Sequence, residues 1–302
     1  MPMSLTRICS RWRTIAFSTP RLWSSLSIST PHSNMHLPDD VWLTRVISHW
    51  ISHSGQCNLS LTLEYPRLDH DAIRAMSNLL LPCSHRWKSL DLHIPYPLLQ
   101  ALLTLPSTSI PSLTSLTIRN ASLLERPNLT PPSSGAIWHA PCLRKLALLN
   151  VEIDHKLLDV LPIERLHHLA LVPDMTVHAH GLNIHDVLHL LARGQILQSC
   201  TLALEDDVMD YTCSQSILSL HHLRELEIQL KMTGIPIKEI FGAIHAPALR
   251  SLKLTSCASE RGVIGALIAM LGQSSGITEA KTDSTGADGV WELRISDDVA
   301  HL

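Results

Sequence analysis

A short phrase of alternating leucines returns along most of the chain. It reads WKSLDLHI from Trp87, LTSLTIRN from Leu113, LRKLALLN from Leu143 and LHHLALVP from Leu166. It comes back as LQSCTLAL from Leu197, LRELEIQL from Leu223 and LRSLKLTS from Leu249. The central residues are Leu90, Leu116, Leu146, Leu169, Cys200, Leu226 and Leu252, separated by 26, 30, 23, 31, 26 and 26 positions. An earlier run, Cys57 to Tyr65, alternates Leu59, Leu61 and Leu63, and VWELRIS around Leu293 reads as a last copy. Apolar and polar positions that alternate with period two are the pattern of a half-buried strand. One such strand cannot bury its own apolar face, so the copies must stack into a parallel sheet.

The segments between the phrases carry helical spacing. Asp69–Pro82, Tyr96–Pro106, Asp154–Pro162 and Asn183–Gly194 read as short helices. Asp or Asn opens most of them and Pro or Gly ends them, as capping requires. Long loops are expected over Ser122–His139 and Val172–Ile184, the first rich in proline. A polar, glycine-bearing segment, Ser275–Gly289, breaks the rhythm.

The first sixty residues follow another pattern. Leu5, Ile8, Cys9, Trp12 and Ile15-Ala16 recur at helical spacing and predict one amphipathic helix. Pro20 disfavours helix at Thr19 and closes it, and Leu22-Trp23 follow. A second helix is expected within Leu37–Gly55, capped by Asp39 or Asp40 and ended by Gly55. Its apolar stripe is read as Trp42, Val46 and Trp50, with Leu43, Ile47 and Ile51 beside them.

Composition narrows the function classes. Apolar residues make up 45% of the chain but aromatics only 4%, so leucine carries the core. The net charge of -3 offers no electrostatic footprint for nucleic acid. Seven cysteines, an odd number with no C-x-x-C pair, fit neither a zinc finger nor a disulfide framework and point to reduced thiols. No signal peptide is visible, and the longest late apolar run, Gly262–Gly272, is too short to span a bilayer. A soluble cytoplasmic or nuclear protein without membrane partners is expected.

Nineteen histidines raise the question of a metal. His185 and His189 stand four apart on a predicted helix, but Asp186 takes the place where H-E-x-x-H has its glutamate. There is no G-x-S-x-G, no Walker A sequence and no G-x-G-x-x-G. The chain is expected to hold no metal and no cofactor and to perform no catalysis.

Two resemblances follow from these residues. The phrase L-x-x-L-x-L resembles the leucine-rich repeat. It implies an α/β fold, an irregular solenoid of parallel strands with outer helices, over residues 57–302. Asn120 and Asn150 stand one residue before the family's Asn/Cys ladder position, and Cys257 fits it. The stretch Leu5–Ile28 resembles the C-terminal half of an F-box, as found in fungal F-box proteins. Leu5, Ile8, Cys9, Arg11, Trp12, Arg13, Pro20, Leu22 and Trp23 stand where the family reads leucine, β-branched residue, cysteine, arginine, Trp-Arg and Pro-x-Leu-Trp. The family's opening Leu-Pro-acidic turns have no counterpart after Met1, so residues 1–30 are read as a partial F-box and 31–56 as a connecting helix.

The F-box resemblance implies a non-catalytic substrate-recognition subunit of a cullin-RING ubiquitin ligase. It assigns contact with the Skp-type adaptor to Leu5, Ile8, Trp12, Pro20, Leu22 and Trp23. The unknown protein substrate is expected on the concave face of the repeats. There the residues flanking each central leucine point away from the core: Ser89, Asp91, Ser115, Thr117, Lys145, His168, Thr201, Glu225, Glu227 and Lys253. The alternative is a stand-alone repeat scaffold that binds proteins after losing the ligase docking motif.

Overall fold

The computed structural model describes residues 2–29, 40–64, 70–119, 137–151, 153, 155–173, 182–204, 217–230, 237–256 and 289–294. Most of the two expected loops and of Ser275–Gly289 falls outside these residues, as do Asn120, Cys213 and Cys257. The chain divides into two compact units, Met1–Leu143 and Arg144–Leu302.

In the first unit, α1 (Pro2–Leu5) and α2 (Ser10–Phe17) precede a 3-10 turn over Pro20–Trp23 and strand β1 (Ser25–Ser29). Then come α3 (Asp40–His53), β2 (Leu59–Glu64), α4 (His70–Leu80), β3 (Trp87–His93), α5 (Tyr96–Leu103) and β4 (Ser115–Arg119). The four strands pair in order and in parallel. Their register sets Leu26, Leu61, Leu90 and Leu116 side by side, all buried. Ile28, Leu63, Leu92 and Ile118 form a second buried row two residues on. Each such side chain contributes about 1.5–3 kcal/mol by leaving water.

The second unit repeats the scheme. It runs β5 (Lys145–Leu149), α6 (His155–Val160), β6 (His168–Val172), α7 (Ile184–Arg193), β7 (Ser199–Leu204), β8 (Leu218–Ser219) and β9 (Glu225–Leu230). It ends with α8 (Ile237–Ala243), β10 (Ile244–His245), β11 (Ser251–Ser256) and β12 (Gly289–Arg294). Strands β5, β6, β7, β9 and β11 are parallel, and their register aligns Leu146, Leu169, Cys200, Leu226 and Leu252. Cys200 fills a leucine position with no loss of burial. Burial pushes its thiol up to about 12, so it stays protonated at neutral pH.

Three sequence expectations change here. The run around Leu293 is a strand, but β12 lies antiparallel to β11 and is not another copy of the parallel unit. The single amphipathic helix expected from Leu5 is broken by the turn Thr6–Cys9, which Arg13 closes by donating from Nε to the Thr6 carbonyl at 2.9 Å. The stretch ending in Ile28 does not stop at the motif. Its last four residues and Ser29 form β1, paired along its whole length with β2 across the boundary drawn at residue 30.

Capping follows the expected chemistry at α7, while α5 starts after Pro95 with no side-chain cap and ends at Thr104. Asn183 accepts a bond from the Asp186 N–H at 2.8 Å, and Gly194 ends α7. Gly55, at φ 54°, ends α3 in the left-handed region where a side chain is disfavoured. Asn150 adopts φ 56° just past β5, a conformation asparagine tolerates better than most residues. From α7, Arg193 donates to the Leu158 and Leu161 carbonyls at 2.9 and 2.8 Å, closing the end of α6. Gly194 also marks a close approach: a Cβ there would lie 2.9 Å from Leu197 Cγ, against a buried leucine. Gly194→Ala should therefore lower stability by about 1–3 kcal/mol through overpacking, measurable as a reduced urea midpoint with unchanged slope.

Candidate interaction surfaces

The N-terminal motif separates into residues that hold it and residues it presents. Trp23 has no exposed surface and donates from Nε1 to the Ala16 carbonyl at 2.7 Å. Its ring stacks on Phe17, 5.6 Å between centroids and 10° between planes, and meets Trp50 edge-on at 5.0 Å. His49 and His53, 4.2 Å apart, close the cluster from α3. Burial, then the neighbouring His53, lowers the pKa of His49. Trp23 thus anchors the motif to α3. The resemblance assigns Trp23 an adaptor contact; in this structure its ring is fully covered and serves the packing of the motif.

The rest of the motif faces outward. Ile8, in the turn before α2, and Trp12 and Ile15, three apart on α2, are 61%, 46% and 42% exposed. Leu22 and Phe17 stand at the margin of exposure, Pro20 is exposed, and Leu5 is half-buried. Ala16, on the opposite side of α2, is buried. Of the ten large apolar side chains exposed among the described residues, eight lie within residues 3–42. An apolar cluster of this kind marks an interaction surface. On α3 the buried stripe is Leu43, Ile47 and Trp50, not the expected Trp42–Val46–Trp50 row. Trp42 is 49% exposed, because the stripe follows the side that meets Trp23 and α4.

Arg86 is the functional-looking residue that sequence reasoning passed over, and its role is structural. It is buried at the start of β3, and it donates from Nε to the Cys57 carbonyl at 2.9 Å and from Nη2 to Ser54 Oγ. It thereby ties the turn after α3 to the sheet.

All ten residues expected on the sheet's outward face stand there, half-buried or exposed. In the first unit the register builds columns of hydroxyls. Ser25, Ser60, Ser89 and Ser115 align, and Ser27, Thr62, Asp91 and Thr117 align next to them. Asp91 is bound by both Arg119 nitrogens at 3.2 and 3.1 Å. His93 lies 3.8 Å from Glu64.

The second unit's outward face is graded instead. One column reads Lys145, His168, Ser199, Glu225 and Ser251; the next reads Ala147, Ala170, Thr201, Glu227 and Lys253. Lys253 Nζ donates to Glu227 Oε1 at 2.9 Å. The His168 pKa is lowered by burial and then by Lys145, with Glu225 opposing.

A scan against protein-family models finds no match to this chain, and a search of curated proteins finds none. Function must therefore be read from the surfaces themselves. No helix among the described residues is long and apolar enough to cross a membrane. No group of three or more histidine, cysteine, aspartate or glutamate side chains able to hold a metal occurs among them. His185 and His189 stack in parallel on the exposed side of α7, 6.4 Å between centroids, without a third ligand among the described residues.

Proposed function

We propose that the chain is a non-catalytic substrate-recognition subunit of a cullin-RING ubiquitin ligase. In this reading the apolar face of α2 docks on a Skp-type adaptor. The parallel sheet is a degenerate leucine-rich-repeat solenoid whose outward, concave face receives the target protein. One observation carries the reading: the F-box-like stretch splits into a buried anchor, Trp23 with Ala16, and a presented row, Ile8, Trp12 and Ile15. Exposed tryptophan and isoleucine at helical spacing cost solubility unless a partner covers them, and tryptophan is among the residues that dominate interface energies. Regular in-register strands after the motif supply a broad polar surface of the kind stacked repeats use for binding.

Co-purification with a Skp-type adaptor tests the proposal. The full chain should retain the adaptor, and Trp12→Asp should weaken retention at least about tenfold, the loss of one interface hot spot. The melting midpoint should hold, since Trp12 is not part of the buried cluster. Retention unchanged by both Trp12→Asp and Ile15→Asp would sink the docking assignment.

A further inference from the structure

The second unit's outward face has a recess and a charge at a fixed separation. In columns otherwise filled by longer side chains, Ala147 and Ala170 sit side by side on neighbouring strands. Both are partly open, and two residues on the half-buried Leu149 and Val172 continue the apolar floor. Two adjacent alanines on a pleated sheet leave a shallow apolar hollow about two strands wide, or roughly 9–10 Å. Lys145 and His168 edge it on the side nearer the strand starts.

Two strands beyond Ala170 lies the acidic strand β9. Its two outward glutamates differ. Glu227 is held by Lys253 and by Gln229. Glu225 is exposed and forms no ion pair with a described residue. The face therefore runs from a cation, Lys145, through an apolar hollow to a carboxylate that forms no ion pair with a described residue. The first unit's face has no such gradient, for Asp91 is taken by Arg119 and its neighbours are hydroxyls.

We infer that this face selects extended peptide segments that carry an apolar side chain and a lysine or arginine two residues apart. The inference rests on the proposal that the outward face receives the target. The spacing follows from the sheet. Across from Ala170 on β9 stands Glu227; Glu225 lies two strand spacings over and two residues nearer the strand starts, about 11.7 Å from Ala170. A segment crossing the strands on that diagonal covers about 6.7 Å in two residues with both side chains on one side. The long aliphatic stem of lysine or arginine spans the remaining roughly 5 Å and brings its charge to Glu225. Lys145, at the other side of the hollow, disfavours a cation there.

Selection of random displayed nonapeptides on the immobilised full chain tests this. Enriched peptides should share an apolar residue with Lys or Arg two positions from it. A synthetic nonapeptide with Leu-Ser-Lys at its centre should bind in fluorescence anisotropy, and its Leu-Ser-Glu counterpart should bind at least about tenfold more weakly. Glu225→Lys should reverse that preference, and Ala170→Gln should remove the requirement for the apolar residue. Both positions are outward-facing, so both variants should keep the parent melting midpoint. Enrichment of a different pattern, or a preference unmoved by Glu225→Lys, overturns the inference and leaves the outward face as the target surface. Retention of no peptide by the parent chain overturns the inference and the face assignment together, while adaptor capture is read separately.

Discussion

Trp23→Ala is expected to release the N-terminal face from the first unit. The indole fills a fully enclosed site between α2 and α3, so truncation removes a large apolar group and leaves a cavity. Such changes cost about 3–5 kcal/mol. The Ala16 carbonyl also loses its shorter bond and keeps only the Thr19 N–H at 3.4 Å, which adds up to about 1 kcal/mol. The loss falls on the link between α2 and α3, because Phe17, His49, His53 and Trp50 all meet the same ring. Trypsin should then cut at Arg11, Arg13 and Arg21 well before it cuts elsewhere, and adaptor capture should fall together with the melting midpoint. Trp12→Asp should lose capture alone. The pair of variants separates holding from presenting. Equal trypsin resistance in Trp23→Ala and the parent would show that the cluster does not anchor the motif.

Arg86→Ala is the second change with a large effect. Its guanidinium is buried and bonded to Cys57 and Ser54, residues 29 and 32 positions away in sequence. Removing the side chain leaves the Cys57 carbonyl without its donor, at about 1–3 kcal/mol, and opens a cavity beside the Ser54 hydroxyl, which keeps its bond to the Ile51 carbonyl. A total of about 3 kcal/mol is expected, seen as a lower urea midpoint. Arg86→Met restores most of the volume but no donor, so it should recover only part of the loss. If Arg86→Met equals the parent, packing rather than hydrogen bonding holds this junction. Arg86→Lys is also expected to fall short, since one ammonium cannot copy the fork that reaches both acceptors.

The strands of the sheet were legible because a leucine at each centre must face the same way in every copy. Leu90, Leu116, Leu146, Leu169, Cys200, Leu226 and Leu252 are all central, all buried and in register within each unit. The helices at Tyr96, His155 and Ile184 were legible through apolar spacing, and the last also through its Asn183 cap. What stayed hidden depends on partners that sequence does not display. An apolar helical row looks alike whether it meets a core or solvent, so the exposure of Ile8, Trp12 and Trp42 had no local signal. Strand β1 had one, the alternation of Leu26 and Ile28 with serines, but it was masked by the motif that contains it. The direction of β12 was not encoded in its phrase, because a two-residue period reads the same in both directions. The buried Arg86 precedes a strand exactly as an exposed arginine would, and only its distant acceptors distinguish it.

Strand β1 has a mechanical consequence. One 3-10 turn joins α2 to β1, and five consecutive residues of β1 pair with β2 in parallel. A pull on α2 by a bound partner would reach that ladder with almost no slack. With the load along the strands, its hydrogen bonds would have to fail together, in shear, rather than open one after another like a zip. The presented face is therefore mounted on the stiffest kind of junction a sheet can offer.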